Sequence, residues 1–242
     1  MEPILEARGL EKRFGGVRAV AAVDFRLLPG ELRCLIGPNG AGKSTFFKML
    51  SGQLKPTAGQ VLLEGEDITD IERHEIAKRG LGIKNQVPDV LNGLTVKENL
   101  WLAARTRRDS AGAGRASDEL AERLRLTSIR DKLVGQLAHG QRQWVEIGMV
   151  LMAQPKIILL DEPAAGMSDE ETTQTAELIR EINRTTTIVV VEHDMQFIRQ
   201  IAQTVTVFHQ GEVLIEDLFD KVAADPTVRE VYLGRSRVGD HA

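Results

Sequence analysis

Hydrophobic and polar positions follow two rhythms along this chain. Leu32-Arg33-Cys34-Leu35-Ile36, Lys156-Ile157-Ile158-Leu159-Leu160 and Thr187-Ile188-Val189-Val190-Val191 are short, mostly apolar runs. Such runs mark strands covered on both faces, as in a parallel sheet flanked by helices. Val61-Leu62-Leu63 and Leu81-Gly82-Ile83-Lys84 read as further strands, as do Val205 to Phe208 and Val213 to Ile215 on either side of a Gln210-Gly211 turn. From Ile4 to Arg26 the runs are short, alternating and broken at Gly9 and Gly15-Gly16, which predicts a small antiparallel sheet ahead of the core. Helices are predicted after Thr45, over Arg73 to Lys78, from Thr95 to about Arg108, over Asp118 to Arg125, and from Ser168 to about Asn183. Thr95 with Glu98 and Ser168 with Glu171 have capping-box spacing. The segment Asp109 to Ser117 reads as a flexible surface loop, Pro88 and Gly93 lie in another loop, and a polar helical tail closes the chain. The expected architecture is α/β: one domain over residues 4–240, its mostly parallel core built from 4–86 and 156–240, with an N-terminal antiparallel β region and a helical lobe inserted at about 87–155.

Where the run ending at Ile36 stops, Gly37-Pro38-Asn39-Gly40-Ala41-Gly42-Lys43-Ser44-Thr45 fits G-x-x-x-x-G-K-[ST] between a strand and a helix. The residue types follow from the chemistry of holding a polyphosphate. Glycines at 37, 40 and 42 let backbone N–H groups crowd round the phosphates, and the helix beginning near Lys43 turns its positive end toward them. Lys43 supplies charge to the outer phosphates. The Ser44 hydroxyl is a ligand for Mg²⁺, which keeps most of its waters and takes few protein oxygens. This is the loop of a P-loop NTPase core. Kinases, GTPases, motor ATPases and transporter ATPases all use it, so the remainder of the chain must choose among them.

Composition narrows the choice. A chain of 242 residues can bury a sizeable core, and a formal net charge of −4 with mixed signs argues against a duplex-coating nucleic-acid binder or a polybasic membrane anchor. No nucleic-acid partner is expected. The lone Cys34 sits in the strand before the phosphate loop, which excludes an internal disulfide, fits a reducing setting and reads as a small buried hydrophobe. No apolar run approaches the ~18 residues of a spanning helix, and Met1-Glu2-Pro3 opens no secretory signal. A soluble chain is expected, free to dock on a membrane partner.

The predicted parallel strands end in polar residues: Leu160 runs into Asp161-Glu162, Val191 into Glu192-His193, and Lys84 into Asn85-Gln86. Ligands of doubly wound sheets bind at the carboxyl ends of the strands, so these groups should converge on the phosphate loop. Asp161 is placed to hold Mg²⁺, commonly through its waters, and Glu162 to polarise an attacking water as general base. His193 either contacts the γ-phosphate and orients that water or serves as a cap or core hydrogen bonder. Gln86 can reach Mg²⁺ or water with its amide oxygen. Phe14 is a candidate stacking surface for a base, with a core phenylalanine as the alternative.

In order along the chain, GPNGAGKST, Gln86, Leu137-Ala138-His139-Gly140-Gln141, IILLDEP, Ala164-Ala165-Gly166-Met167 and His193 resemble the ATP-binding cassette (ABC) family, and the resemblance covers nearly the whole chain. It implies ATP as the nucleotide, hydrolysis as the reaction, Gln86 as the Q-loop glutamine and His193 as the switch histidine. It also implies that the helical lobe meets two transmembrane permease subunits, which would hold this chain peripherally at the cytoplasmic face of the cell membrane. Two cassettes, alike or different, pair head to tail in the family. Ala138, His139, Gly140 and Gln141 would then face the ATP bound on the partner's phosphate loop. Here Ala138 and His139 replace the usual Ser and first Gly of the signature, removing a hydroxyl from that contact.

LAHGQRQWVEIGMVLM, DEPAAGM and the closing Val231-Tyr232-Leu233-Gly234 resemble most the ATPases of branched-chain amino-acid and urea importers, and the HGQ-QW wording is similar to the urea type. The resemblance implies uptake of urea or a short-chain amide, with a periplasmic solute-binding protein acting indirectly and branched-chain amino acids as the alternative solute. Two other readings fit less well. A non-transport cassette ATPase of DNA repair or ribosomes usually carries paired cassettes or a long coiled coil, and an exporter is often fused to its membrane domain.

Overall fold

The computed structural model describes residues 1–87 and 89–233, so the expectations at Pro88, at Gly234 and for the 234–240 end of the domain lie outside the described residues. The chain opens with β1 (Leu5–Phe14), β2 (Val17–Leu27), β3 (Leu32–Ile36), α1 (Lys43–Leu50), β4 (Ala58–Leu63), β5 (Glu66–Asp67), α2 (Arg73–Lys78) and β6 (Leu81–Lys84). Next come α3 (Val96–Ala104), α4 (Ser110–Arg123), two short 3₁₀ turns (Thr127–Ile129 and Val134–Gln136) and α5 (His139–Met152). It continues through β7 (Ile157–Asp161), α6 (Asp169–Asn183), β8 (Thr187–Val191), α7 (Met195–Ile201), β9 (Thr204–His209), β10 (Glu212–Leu218), α8 (Phe219–Ala224) and α9 (Pro226–Leu233).

Two sheets result. One is antiparallel in the order β2-β1-β4-β5, and the other runs β10-β9-β3-β8-β7-β6 with only β10 antiparallel to its neighbour. The apolar runs are unbroken because the second sheet is covered twice. Leu35, Leu159, Val189 and Val191 face α1 and the antiparallel sheet, with Phe46 and Phe47 between them. Cys34, Ile36, Ile158, Leu160, Ile188 and Val190 face the other way, onto Ile147 of α5, Ala176, Ile179 and Ile182 of α6, and Phe197 and Ile198 of α7. Helix α1 is therefore held between the sheets. Phe46 packs there edge-on to Phe25 and 5.1 Å from Phe208, which fixes the end of the phosphate loop from below.

A third cluster joins α3, α4 and α5 through Val96, Leu100, Ala104, Ala113, Ala121, Leu124, Val145 and Met152. Gly148 lets α5 approach closely, since a Cβ there would stand 2.8 Å from Leu100 Cδ2. Buried Asn99 secures the chain entering this cluster: its Oδ1 accepts the Leu91 N–H at 2.8 Å and its amide donates to the Leu91 carbonyl at 3.1 Å.

Three expectations need correction. Residues 109–117 are not a loop: α4 starts at Ser110, capped by the Asp109 carboxylate accepting from Gly112 N–H at 2.8 Å. Its small buried face of Ala113, Ser117 and Ala121 offsets the cost of the two glycines. Helix α3 ends at Ala104, short of Arg108, in turns through 105–108. Gly9 does not break β1, which runs on through it; Gly9 takes φ +55° where the register shifts between Ala7 and Leu10. Gly15-Gly16 is the hairpin turn, and Val61-Leu62-Leu63 joins the antiparallel sheet.

Candidate functional site

The loop between β3 and α1 can be built only with glycine at two points. At Gly37, φ is +147° and a Cβ would stand 2.2 Å from the Phe208 carbonyl; at Gly42, φ is +101° and a Cβ would stand 2.5 Å from the Ala19 carbonyl. The loop is thus clasped by β9 and β2. A backbone stitch reinforces the clasp, with Gly211 N–H donating to Ala41 O at 3.0 Å and Ala21 N–H to Gly211 O at 2.8 Å. Gly42 provides no side-chain cap, so the first-turn N–H groups of α1 are left to serve an anion. The buried Lys43 ammonium lies inside the loop, donating to the carbonyls of Gly37 at 2.7 Å and Pro38 at 3.1 Å. Burial pushes its proton affinity down, against the pull of Glu162 and Asp161. Asn39 and Gly40 are exposed on the loop, and Ser44 is exposed on the first turn of α1 with Thr45 half-buried behind it.

Parallel register brings the other predicted groups to the same edge. β7 lies one strand from β3 across β8, and Asp161 pairs with Val191 at the last position of β7. Burial, then the neighbouring charge of Glu162, pushes the Asp161 carboxyl above the usual carboxylate range. A cation bound there would reverse that. At Glu162 the chain turns through φ +45°, with its N–H on the Val191 carbonyl at 2.9 Å. Gln86 Nε2 donates to Glu162 Oε2 at 2.7 Å, and His193 Nδ1 stands 3.6 Å from Glu162 Oε1. Gln86, Glu162 and His193, from three separate strand ends, thus meet in one cluster beside Asp161.

Among the described residues no three His, Cys, Asp or Glu side chains gather as a metal cage. The expected donors are the Ser44 hydroxyl, the Asp161 carboxylate and the Gln86 amide oxygen, all hard oxygens. That set suits Mg²⁺, which retains waters and shares phosphate oxygens. Phe14 ends β1 at the hairpin, half exposed with Lys12 Nζ 5.4 Å above its ring, so the core alternative does not hold for it.

Ala138, His139, Gly140 and Gln141 form a second group at the start of α5. Ala138 is the N-cap without a side-chain acceptor, and Gln141 Oε1 accepts the Ala138 N–H at 3.3 Å. Gly140 is pressed on α6, where a Cβ would meet Glu171 Oε1 at 2.7 Å. His139 lies against Gly166 and stands 3.1 Å from the Gln143 amide.

Four further residues complete the site. Buried Glu192 accepts from Ala164 N–H at 3.2 Å and His193 N–H at 2.9 Å, tying the segment after Glu162 to the segment carrying His193. Lys84 is fully buried and donates to the Asp161 carbonyl at 3.2 Å. Buried Glu146 accepts the Asp89 N–H at 3.1 Å, and buried Gln143 donates to the Gln86 carbonyl at 3.4 Å. A lysine closing an otherwise apolar strand was a readable signal; Gln143 and Glu146 stand out only once α5 is known to begin at His139.

Known proteins place these features in context. The ABC transporter family model matches residues 20–165. The high-affinity branched-chain amino acid transport ATP-binding protein LivG of Escherichia coli (strain K12) is 35% identical over 254 residues, spanning 97% of this chain and 99% of LivG. The crystal structure of the ADP conformation of MJ1267, an ATP-binding cassette of an ABC transporter, is similar with a TM-score of 0.87 at 29% identity, covering 97% of this chain and all of that one. A dimeric post-hydrolysis structure of the cassette MJ0796, bound to ADP and Pi, is similar with a TM-score of 0.79 at 25% identity, covering 89% of this chain and 98% of that one.

Proposed function

The chain belongs to the ABC transporter family as an ATPase whose hydrolysis is coupled to transport, and from that premise we propose that it is the energy-coupling subunit of a bacterial importer. Cassettes of the family dimerise and work with transmembrane permease partners. Among the described residues no helix is long and apolar enough to cross a membrane, so the proposed attachment is peripheral, at the cytoplasmic face, through the permeases. The helical lobe over 87–155 is the proposed contact with them.

The observation that carries the catalytic reading is the Gln86, Glu162 and His193 cluster beside Asp161, at the sheet edge that bears the phosphate loop. Lys43 and the loop N–H groups hold the phosphates of ATP. Ser44, Asp161 and Gln86 would hold Mg²⁺, which would supply positive charge against that of the phosphates. Glu162 takes the proton of the attacking water, and His193 with Gln86 orients that water and the carboxylate. Phe14 stacks on the adenine. The start of α5 closes over the ATP on a second cassette, and a periplasmic solute-binding protein delivers solute to the permeases.

The wording His139-Gly140-Gln141-Arg142-Gln143-Trp144 supports urea or a short-chain amide as the solute. The similarity to LivG supports branched-chain amino acids as the second reading. Reconstitution with permeases and solute-binding protein in vesicles separates them. Urea should stimulate ATP hydrolysis and uptake; stimulation by leucine and not by urea reverses the order, and stimulation by neither rejects both.

A further inference from the structure

The signature histidine and the catalytic carboxylate of this chain are joined by a continuous series of contacts that passes through side chains and the Gln86 main-chain carbonyl. His139 Nε2 stands 3.1 Å from Gln143 Nε2. The same Gln143 amide donates to the Gln86 main-chain carbonyl at 3.4 Å. Gln86 Nε2 donates to Glu162 Oε2 at 2.7 Å, and Glu162 Oε1 faces His193 Nδ1 at 3.6 Å. Gln143 is fully buried and its Oε1 has no partner, so among the described residues its side-chain amide makes two contacts, one along α5 to His139 and one from α5 to the segment after β6. A second contact fixes the same two elements: Glu146, one turn further along α5, accepts the Asp89 N–H. The segment carrying Gln86 is therefore bound to the helix that carries His139, and any rotation of α5 moves the amide that holds Glu162. The path needs a side chain at 139; a glycine there would offer Gln143 nothing to bond.

We propose that Gln143 is a positioning residue that transmits the placement of His139 to Gln86 and through it to Glu162. The inference rests on the proposed head-to-tail pairing, in which His139 faces the partner's ATP while Glu162 acts on this chain's own. Gln143 would then link the two ATP sites of the assembly within one polypeptide. The proposed coupling runs through a contiguous set of packed and hydrogen-bonded groups, the kind of network that carries energetic coupling between sites.

The test is a double-mutant cycle on kcat of ATP hydrolysis in the full assembly, pairing His139→Gly with Gln86→Ala, first with Gln143 present and then with Gln143→Leu. His139 and Gln86 share no direct hydrogen bond or ion pair, so their coupling reports the path. With Gln143 present the two losses should fall short of their product by about threefold or more, and with Gln143→Leu they should multiply to within about twofold. Losses that multiply with Gln143 present overturn the proposal. A coupling that survives Gln143→Leu runs by a route that does not pass through Gln143 and overturns it equally. A purely structural Gln143 would lower kcat in every background and leave the coupling intact. Should Gln143→Leu lower the melting temperature beyond use, Gln143→Met serves the same cycle. Failure of the family reading is distinguishable, because it would show as absent Mg²⁺-dependent hydrolysis in the unsubstituted assembly.

Discussion

Replacing Glu162 with glutamine isolates its proton-accepting role from its place in the cluster. The amide matches the carboxylate in size and keeps one oxygen, so the 2.7 Å contact from Gln86 Nε2 survives and the strained turn at φ +45° is unchanged. Nothing in the phosphate loop is touched, since Lys43 bonds the carbonyls of Gly37 and Pro38. What is lost is a base for the attacking water. General-base catalysis contributes about 10²–10⁴ in rate, or roughly 2.7–5.4 kcal/mol of barrier. Glu162→Gln should therefore lower kcat for phosphate release by at least about 100-fold, with ATP affinity by calorimetry held within about threefold. A kcat loss below about tenfold would refute the assignment of Glu162 as base. A large fall in ATP affinity with kcat unchanged would make it a binding residue.

Lys43→Ala removes a cation from the loop and should weaken ATP binding by roughly 10- to 150-fold, the scale of a hydrogen bond to a charged group, measured as Kd in the presence of Mg²⁺. Ala138→Ser supplies the missing N-cap acceptor of α5 and should add about 1 kcal/mol, or about 2–4 °C in Tm by calorimetry. If this chain pairs with an unlike cassette bearing Ser and Gly, the same substitution should change turnover little, and a large acceleration would rule out unequal sites. Burial pushes Glu146 from its ordinary value of 4.5 up to about 7, so its stabilising contribution is complete below the ordinary value and is lost as pH rises through about 7. Glu146→Gln should flatten the pH dependence of urea unfolding and gain up to roughly 3 kcal/mol above about pH 8, an expectation that fails if the two proteins lose stability in parallel.

The parallel core was legible because burial on both faces leaves no polar alternation to misread, and the phosphate loop because its geometry admits so few residues. α4 was not, because glycines at 112 and 114 read as breakers while the compensating contact is tertiary, the small face of Ala113, Ser117 and Ala121 packed within the helical cluster. Asp161, Glu162, Gln86 and His193 were found from strand ends, and the parallel register converted that ordering into contacts. Glu192 was seen only as a polar strand end. Its function is to receive N–H groups from two loops, which sequence spacing cannot disclose. Gln143 and Glu146 were hidden for a similar reason: their partners lie 57 residues away in sequence.

The structure of Glu162→Gln loaded with Mg²⁺ and ATP tests the central claim most directly. The account predicts a dimer with ATP phosphates on Lys43 and the loop at 37–45, Mg²⁺ on Ser44, and Ala138, His139 and Gly140 of the opposing cassette across the γ-phosphate. ATP bound elsewhere, or seated on the loop with no contact from an opposing α5 N-terminus, would contradict it.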